Sequence, residues 1–418
     1  MKIHVGKLAV TLLAIFVIAF PKAGVVPGGV PLYISVPVGE VVALLGWLWA
    51  LRHPGRSESI WGLALLLWVT LTWVHHVLWS EALDMRGMAR LVFNYLPVTG
   101  LGIAFFFMRS PQMTDRALTA TKWAFYFLLA YSVLQMLVGA DTVAIQHLTA
   151  NYEESFEEVE RRSNLIHALG VAKVFGTYQN GNIFSLTLVM IFPIIMAAEK
   201  RMWVIFCAAA VLHVVVIFSA SASSYIALAI VDFLLAIALR RLWIYMPILG
   251  VIVAVGVILL LSQCNNCGMI ELMNSRLFDR DLTTNMRWYK TGLWWDRALN
   301  DPMIFVVGEM GGNILTIFEV LALSIAQYYG LLALVLFYGF YLSVLKPFRY
   351  RAYKAGMIGY LVSSFGEGGF WLTPTPYIIG WCLALCVALD AKELSTKRST
   401  QSMEPEEGRG GRHLPAAA

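Results

Sequence analysis

Apolar runs long enough to cross a bilayer recur along this chain, near 6–21, 32–51, 60–79, 91–108, 119–140, 181–198, 202–218, 223–239, 242–262, 314–345, 355–366 and 374–391. A hydrocarbon core about 30 Å thick needs about 20 residues of helix. Inside it every backbone N–H and C=O must bond within the protein, and no strand-like alternation of apolar and polar residues is present, so the spans are helices. Only 14% of the 418 residues are charged, against about 25% in a soluble domain, and the mean hydropathy is +0.69. The expectation is an all-α polytopic membrane protein of about twelve transmembrane helices, forming one domain over 1–391. The first run has no small-x-small cleavage site before Pro21 and reads as a retained span rather than a signal peptide. The 355–366 run is short and leads into "GEGGF", and the 314–345 run is long enough to tilt or protrude. From Lys392 to the C-terminus the chain is polar and rich in Ser, Glu, Gly and Arg, which reads as a disordered tail over 392–418.

Positive charge orders the spans. Lys2 and Lys7 precede the first. Arg52 and Arg56 follow the second, and Arg109, Arg116 and Lys122 lie between the fourth and fifth. Further clusters are Lys200/Arg201, Arg240/Arg241, Lys346/Arg349/Arg351/Lys354 and Lys392/Lys397/Arg398. With twelve spans all of these fall on one side. The positive-inside rule makes that side cytoplasmic, with both termini inside. The location implied for a bacterial protein is the inner membrane.

Two long hydrophilic segments then face outward, 141–180 and 263–313, and both carry Lys or Arg against the usual bias. Surface ion pairing is one explanation, and recognition of an anionic ligand is the other. The first segment contains "NYEESFEEVERRSNLIHALG", with apolar residues at helical spacing. It predicts an amphipathic helix whose acids form a solvated face, with Arg161 and Arg162 closing the acidic run. "KVFGTYQNGNIFS" follows at 173–185. Gly176 and Gly181 allow close backbone approach, Asn180 or Asn182 is placed to cap the next helix, and a helix N-terminus preceded by Lys173 suits phosphate. The plain alternative is a polar cap with Lys173 reaching for the interface.

The second segment interleaves Arg276, Arg280, Arg287, Lys290 and Arg297 with Trp288, Tyr289, Trp294 and Trp295. Arginine offers paired donors to phosphate. Tryptophan and tyrosine here suit sugar stacking or the interfacial belt, and the belt accounts for the Trp residues more simply. "DRD" at 279–281 has the D-x-D form of some metal sites, but the pattern is common by chance and no metal is assigned. Glu40 and Asp232 are the clearest ionisable residues within spans and need partners inside the bundle. His75 and His76 lack spaced carboxylates and read as structural. Cys207, Cys382 and Cys386 read as packing residues, while Cys264 and Cys267 are either a disulfide on an oxidising side or two free thiols.

Read together, the layout and motifs resemble the Wzy/WaaL superfamily of polysaccharide polymerases and O-antigen ligases. Members carry Arg-x-x-Gly-Thr-Phe-x-Asn-Pro-Asn ahead of a span, and "KVFGTYQNGN" matches it at Gly176 and Thr177, with Lys173 for Arg, Tyr178 for Phe and Gly181 for Pro. A Ser-rich turn appears as "SASASS" at 219–224, without the usual Arg. The Arg-x-x-x-Trp … Pro … Gly-x-Gly motif is similar to Arg287, Trp294 or Trp295, Pro302, Gly308 and Gly311/Gly312. The ligase branch carries a His before the following span. Here "NILTIFEVLALS" has Glu319 and no His, which favours a polymerase.

The resemblance implies a glycosyltransferase without a cofactor. Its donor and acceptor would be oligosaccharides on undecaprenyl diphosphate, with membrane lipid around them and a chain-length regulator and a flippase as possible partners. An acceptor hydroxyl would attack the anomeric carbon and expel lipid diphosphate. Lys173, Arg276, Arg280 and Arg287 would stabilise the leaving charge, backed by Arg161, Arg162 and backbone N–H groups of Gly176–Asn182. Glu309 and Glu319 are the candidate bases. Tyr178, Asn180, Asn182 and Trp288 would contact glycan. The rival readings are ligation of finished glycan to lipid A core or to protein, and, in another class, a flippase or transporter of lipid-linked glycan. Transporters usually bind at the midplane on broken helices, whereas polar density here lies in the two outer segments.

Overall fold

The computed structural model describes residues 2–26, 32–79, 85–109, 113–150, 174–178, 180–239, 250–255, 258, 286–309, 320–366 and 369–401. They form an almost wholly helical bundle. The helices are α1 (Lys2–Leu13), which continues as a π-helical stretch through Ala14–Ala19, α2 (Ser35–Arg52), α3 (Ser57–Trp79), α4 (Met85–Gly100), α5 (Thr114–Val138), α6 (Gly181–Ala198), α7 (Met202–Phe218) and α8 (Ala222–Ala238). They continue with α9 (Met286–Asn300), α10 (Met303–Val307), α11 (Leu321–Leu345), α12 (Ala355–Ser363) and α13 (Thr375–Gln401). One small antiparallel pairing, β1 (Gly24–Val25) with β2 (Leu32–Tyr33), follows the first helix.

Among the described residues, six helical stretches are long and apolar enough to cross a membrane: α2, α3, Leu91–Met108, α5, α6 and α11. Gly6–Ala19, α7 and α8 are shorter apolar helices. The membrane class thus follows from the structure, while the expected count of twelve rests on the sequence runs. Most of 242–262 and all of 310–319 lie outside the described residues. The expected 355–366 run is helical only to Ser363. The tail reading needs correction at its start, because α13 runs on to Gln401. "KELSTKRSTQ" contains no Gly or Pro, so nothing stops the helix there.

Small residues let the bundle close. A Cβ on Gly46 would lie 1.9 Å from the Gly102 carbonyl oxygen, so α2 touches backbone just beyond α4. That stretch, Leu101–Phe105, is a tight 3-10 turn after Pro97. Proline cannot supply the helical N–H, so the register loosens there. The core is aromatic, with Tyr341, Tyr360, Trp381, Phe105 and Phe337 fully buried. Both ionisable groups expected to need partners within spans have them. Glu40 accepts from Thr99 Oγ1 (2.6 Å) and Tyr377 OH (2.9 Å). Asp232 pairs with His213 Nε2 at 2.9 Å across α7 and α8, rather than with a Lys or Arg.

Charges mark one end of the bundle. Lys122 meets Glu199 (2.7 Å), Lys346 meets Glu58 (2.5 Å), Arg351 meets Glu393 (2.8 Å), Lys354 meets Asp390 (2.7 Å) and Lys392 meets Asp115 (2.6 Å). These pairs tie together the starts of α3 and α5, the ends of α6 and α11, and the 390–393 stretch within α13. The sequence clusters around Arg56, Lys122, Arg201, Lys346 and Lys392 therefore share one end, as their alternation with the spans requires.

Candidate functional site

At the opposite end the 174–185 stretch forms a tight turn whose backbone is fixed on three sides. Val174 N–H donates to the Phe218 carbonyl at 3.1 Å. Gln135 Oε1, at the end of α5, accepts from Phe175 N–H (3.2 Å) and Gly176 N–H (2.9 Å). Thr177 Oγ1 donates to the Ala19 carbonyl (2.6 Å) and Tyr178 OH to the Ile18 carbonyl (2.8 Å), in the π-helical end of the first helix. Ile18 and Ala19 are in the last turn of this stretch, where the carbonyls have no intrahelical partner and are free to accept such bonds. Gly176 is required twice over. Its φ is +56°, and a Cβ would lie 2.5 Å from the Phe184 ring.

Asn180 is the N-cap of α6, with Oδ1 accepting from Asn182 N–H (3.0 Å) and Ile183 N–H (3.3 Å). The capping expectation resolves to Asn180 rather than Asn182. The Ser-rich turn between α7 and α8 lies directly against this cap. Ser185 and Ser224 hydroxyls are 2.6 Å apart, Ser224 Oγ donates to Ser221 Oγ at 3.0 Å, and Ser221 caps α8. Two motifs nearly forty residues apart in sequence are thus one hydrogen-bonded unit.

The 263–313 segment contributes α9 and α10. Trp294 is buried against Ala298, Ile304 and Ala326, whereas Trp295 is half exposed. Packing therefore distinguishes the two adjacent tryptophans: Trp294 anchors α9 to α10 and α11, and Trp295 does not. α10 docks on a kink in α11 at Gly330, whose φ of 82° and ψ of 172° suit only glycine. A Cβ there would lie 1.9 Å from the Val306 carbonyl oxygen. This kink follows Tyr328 and Tyr329 and turns the N-terminal end of α11 toward the α10 loop.

Glu309 follows α10, with its N–H donating to the Gln327 carbonyl at 2.6 Å and its carboxylate 3.5 Å from the Arg297 guanidinium. Its side chain is largely buried. Burial raises its pKa above the ordinary carboxylate value, and Asp301 adds to the rise, while Arg297 and a Gln327 side-chain hydrogen bond act against it. A carboxyl held above its ordinary pKa keeps a proton more readily than an exposed one.

The loop between α12 and α13 joins the two halves. Ser364 C=O accepts from Leu321 N–H at 3.0 Å, and Trp371 packs on Tyr328 with ring centroids 4.9 Å apart. A Cβ on Gly366 would be 3.7 Å from Ser223 Oγ, and one on Gly369 would be 3.3 Å from Ile183. The loop therefore reaches from the Ser-rich turn and the α6 cap to the start of α11.

The predicted site residues divide as follows. Lys173, Arg161, Arg162, Arg276, Arg280 and Glu319 lie outside the described residues, as do Cys264 and Cys267. Arg287 and Trp288 are in the first turn of α9, where only the backbone is described. Glu309 and Asn180 are placed as above, and Asn182 is the second residue of α6. Tyr178 requires correction as a glycan contact. It is fully buried, with its hydroxyl bonded to Ile18, because the turn uses the ring as an anchor. The proposed backbone donors also require correction. The N–H groups of Gly176, Tyr178 and Asn182 already bond to Gln135, Phe175 and Asn180.

Three residues gave no distinct signal of a role in the sequence. Gln135 is one of many polar residues near span ends. Arg297 was one of several cations until Glu309 was found beside it. Lys22 lies just past the π-helical stretch with Nζ 4.3 Å over the Tyr33 ring, and burial lowers its pKa to about 8. A single Lys beside a proline gave no signal. Among the described residues no cluster of His, Cys, Asp and Glu suited to a metal is present. No family model matches this chain, and neither a curated protein nor a solved structure matches it.

Proposed function

We propose that this protein is a membrane glycosyltransferase that polymerises lipid diphosphate-linked repeat units at the bundle end opposite its paired charges. One observation carries the reading. The three stretches that resemble the Wzy/WaaL motifs converge on that end. The 174–185 turn is hydrogen-bonded to the Ser-rich turn, and the loop at 364–375 extends from them to α11, where Glu309 is held. Under the positive-inside rule that end is periplasmic, and it is where a lipid-anchored diphosphate meets the bilayer surface.

In this mechanism an acceptor hydroxyl oxygen forms a bond to the anomeric carbon of the donor. The bond from that carbon to the diphosphate oxygen breaks, and its electron pair leaves with the lipid diphosphate. Glu309 takes the hydroxyl proton, and its raised pKa suits it to do so. Arg287, with Lys173, Arg276 and Arg280, stabilises the departing charge. Arg287 and Arg297 are ten residues apart on α9, about 15 Å along the axis. That separation gives the two ends of one helix different tasks, diphosphate at the first turn and acceptor at the last.

The test is complementation in a strain lacking the native copy, with glycans resolved by gel. Glu309→Gln should cut polymer formation by roughly 100-fold, and Arg287→Ala and Lys173→Ala should also abolish long chains, each leaving core with a single repeat. Full-length polymer from these variants would sink the catalytic reading. Core with no repeat at all would point to a ligase or a flippase instead.

A further inference from the structure

The cation-rich end holds a feature that the glycosyl-transfer reading does not use. A cavity of about 290 Å³ lies between the start of α3, the end of α11 and the 387–394 stretch of α13. Four cations line it: Arg56, Lys346, Arg349 and Arg351. Three acids line it as well, and each is already engaged. Glu58 takes Lys346, Glu393 takes Arg351, and Asp390 takes Lys354 from beneath. Among the described residues the guanidinium groups of Arg56 and Arg349 enter no hydrogen bond or ion pair. Arg56 lies 5.2 Å over the Trp49 ring and acts on Glu58 electrostatically without a hydrogen bond to it, so its guanidinium donors are not taken up.

The loop that carries Arg349 is built rather than slack. Lys354 is fully buried and donates Nζ to the Arg349 carbonyl (3.1 Å) and the Lys346 carbonyl (3.4 Å) as well as to Asp390. Lys346 closes α11 in the left-handed conformation. Between these two fixed points stands Phe348, with its side chain wholly outside the protein. A fully exposed phenylalanine flanked by cations at the end of apolar helices suits the bilayer interface, where the ring enters the acyl boundary and the cations meet headgroups. The exposed Leu394 also borders the cavity.

We propose that this cavity binds the phosphate headgroup of an anionic phospholipid, with Arg56 and Arg349 as the phosphate ligands and Phe348 as the membrane anchor beside them. Arginine matches phosphate oxygens with paired donors. The volume lies at the lower edge of the range for small-molecule sites and suits a compact phosphate headgroup. Phe348 selects the lipid over a free phosphate compound, because a soluble ligand gains nothing from an exposed ring.

The test uses the purified full chain in neutral detergent, with bound lipid counted by native mass spectrometry. Phosphatidylglycerol should be retained and phosphatidylcholine should not. Arg56→Gln and Arg349→Gln should each weaken retention by about fivefold, the effect of one cation at an anionic surface, with the unfolding temperature in lipid-free detergent unchanged. Arg349→Lys should keep more of the binding than Arg349→Gln, which separates loss of charge from loss of fold. Phe348→Ser should weaken phosphatidylglycerol and leave glycerol 1-phosphate binding as it was. Wild-type retention by the Arg56→Gln/Arg349→Gln double variant would overturn the site. Glycerol 1-phosphate or inorganic phosphate binding as tightly as phosphatidylglycerol would overturn the lipid assignment.

Discussion

The two ends of the bundle treat polar groups in opposite ways. At the cation-rich end, side chains of opposite charge from different helices meet directly, as Lys122 does with Glu199 and Lys346 with Glu58. At the other end, described polar side chains mostly serve backbone: Gln135 takes two amides, Thr177 and Tyr178 serve two carbonyls, and Asn180 caps a helix. Ion pairs clamp helix ends and tolerate small shifts. Backbone hydrogen bonds instead fix the path of a loop, which is what a site for reacting atoms requires.

The largest test of this contrast is Lys354→Met. The lysine is fully buried, and Asp390 would lose its charged partner and keep only the Tyr353 hydroxyl, so the expected loss is about 3 kcal/mol, read as detergent-resistant folding or thermal unfolding in micelles. Unchanged stability would mean that the pair does not clamp α12 to α13. Next comes Gln135→Leu at the other end. It strands the amides of Phe175 and Gly176, for about 2–4 kcal/mol in total, and it should free the 174–178 turn to faster amide hydrogen exchange while the cation-rich end keeps its protection. Equal loss of protection at both ends would show that the ends are not separable.

Acid and base should also act on the ends with opposite sign. Lys122 holds Glu199 well below the ordinary carboxylate value, at about 2, with help from the Arg201 amide. Its contribution is therefore present above the unfolded pKa and fades as pH falls toward the folded one. Glu309 is raised by burial, so it costs stability as pH rises through and above the unfolded carboxylate pKa. Removing each by Glu→Gln and comparing unfolding temperature against pH should flatten the acid limb for Glu199 and the higher-pH limb for Glu309. Slopes of the same sign would break the comparison. The smallest expected effect is Lys392→Ala. Both partners of Lys392–Asp115 are exposed, so the loss should stay within about 0.2–1 kcal/mol and shrink with added salt.

Much of this was legible from residues. Apolar runs located α2, α3, α5, α6, α7, α8 and α11, because a helix in lipid must bring its own hydrogen bonds and apolar surface. The spacing of basic clusters put Arg56, Lys122, Lys346 and Lys392 at one end before any contact was known. A cap at Asn180 or Asn182 was recognisable ahead of "IFSLTLV", and the structure assigns it to Asn180. Tyr178 was misread, because a tyrosine in a polar turn looks exposed when its turn is tucked under the end of another helix. Glu309 was one of two candidate bases, and its pairing with Arg297 depends on a chain reversal at Asp301–Pro302 that brings the two together.

What the sequence by itself determined is the class of solvent this protein folds in, the order of its helices and which ends carry charge. Those are one-dimensional properties, set by hydropathy along the chain and by the cost of moving charge across lipid. Only the tertiary structure decided partners. Asp232 faces His213, the 174–185 turn joins the Ser-rich turn, and the Gly330 kink receives α10. Each of these depends on how closely two backbones approach and on which hydrogen-bonding groups the packing leaves to be satisfied. Those distances belong to the packed bundle and are not encoded in any single run of residues.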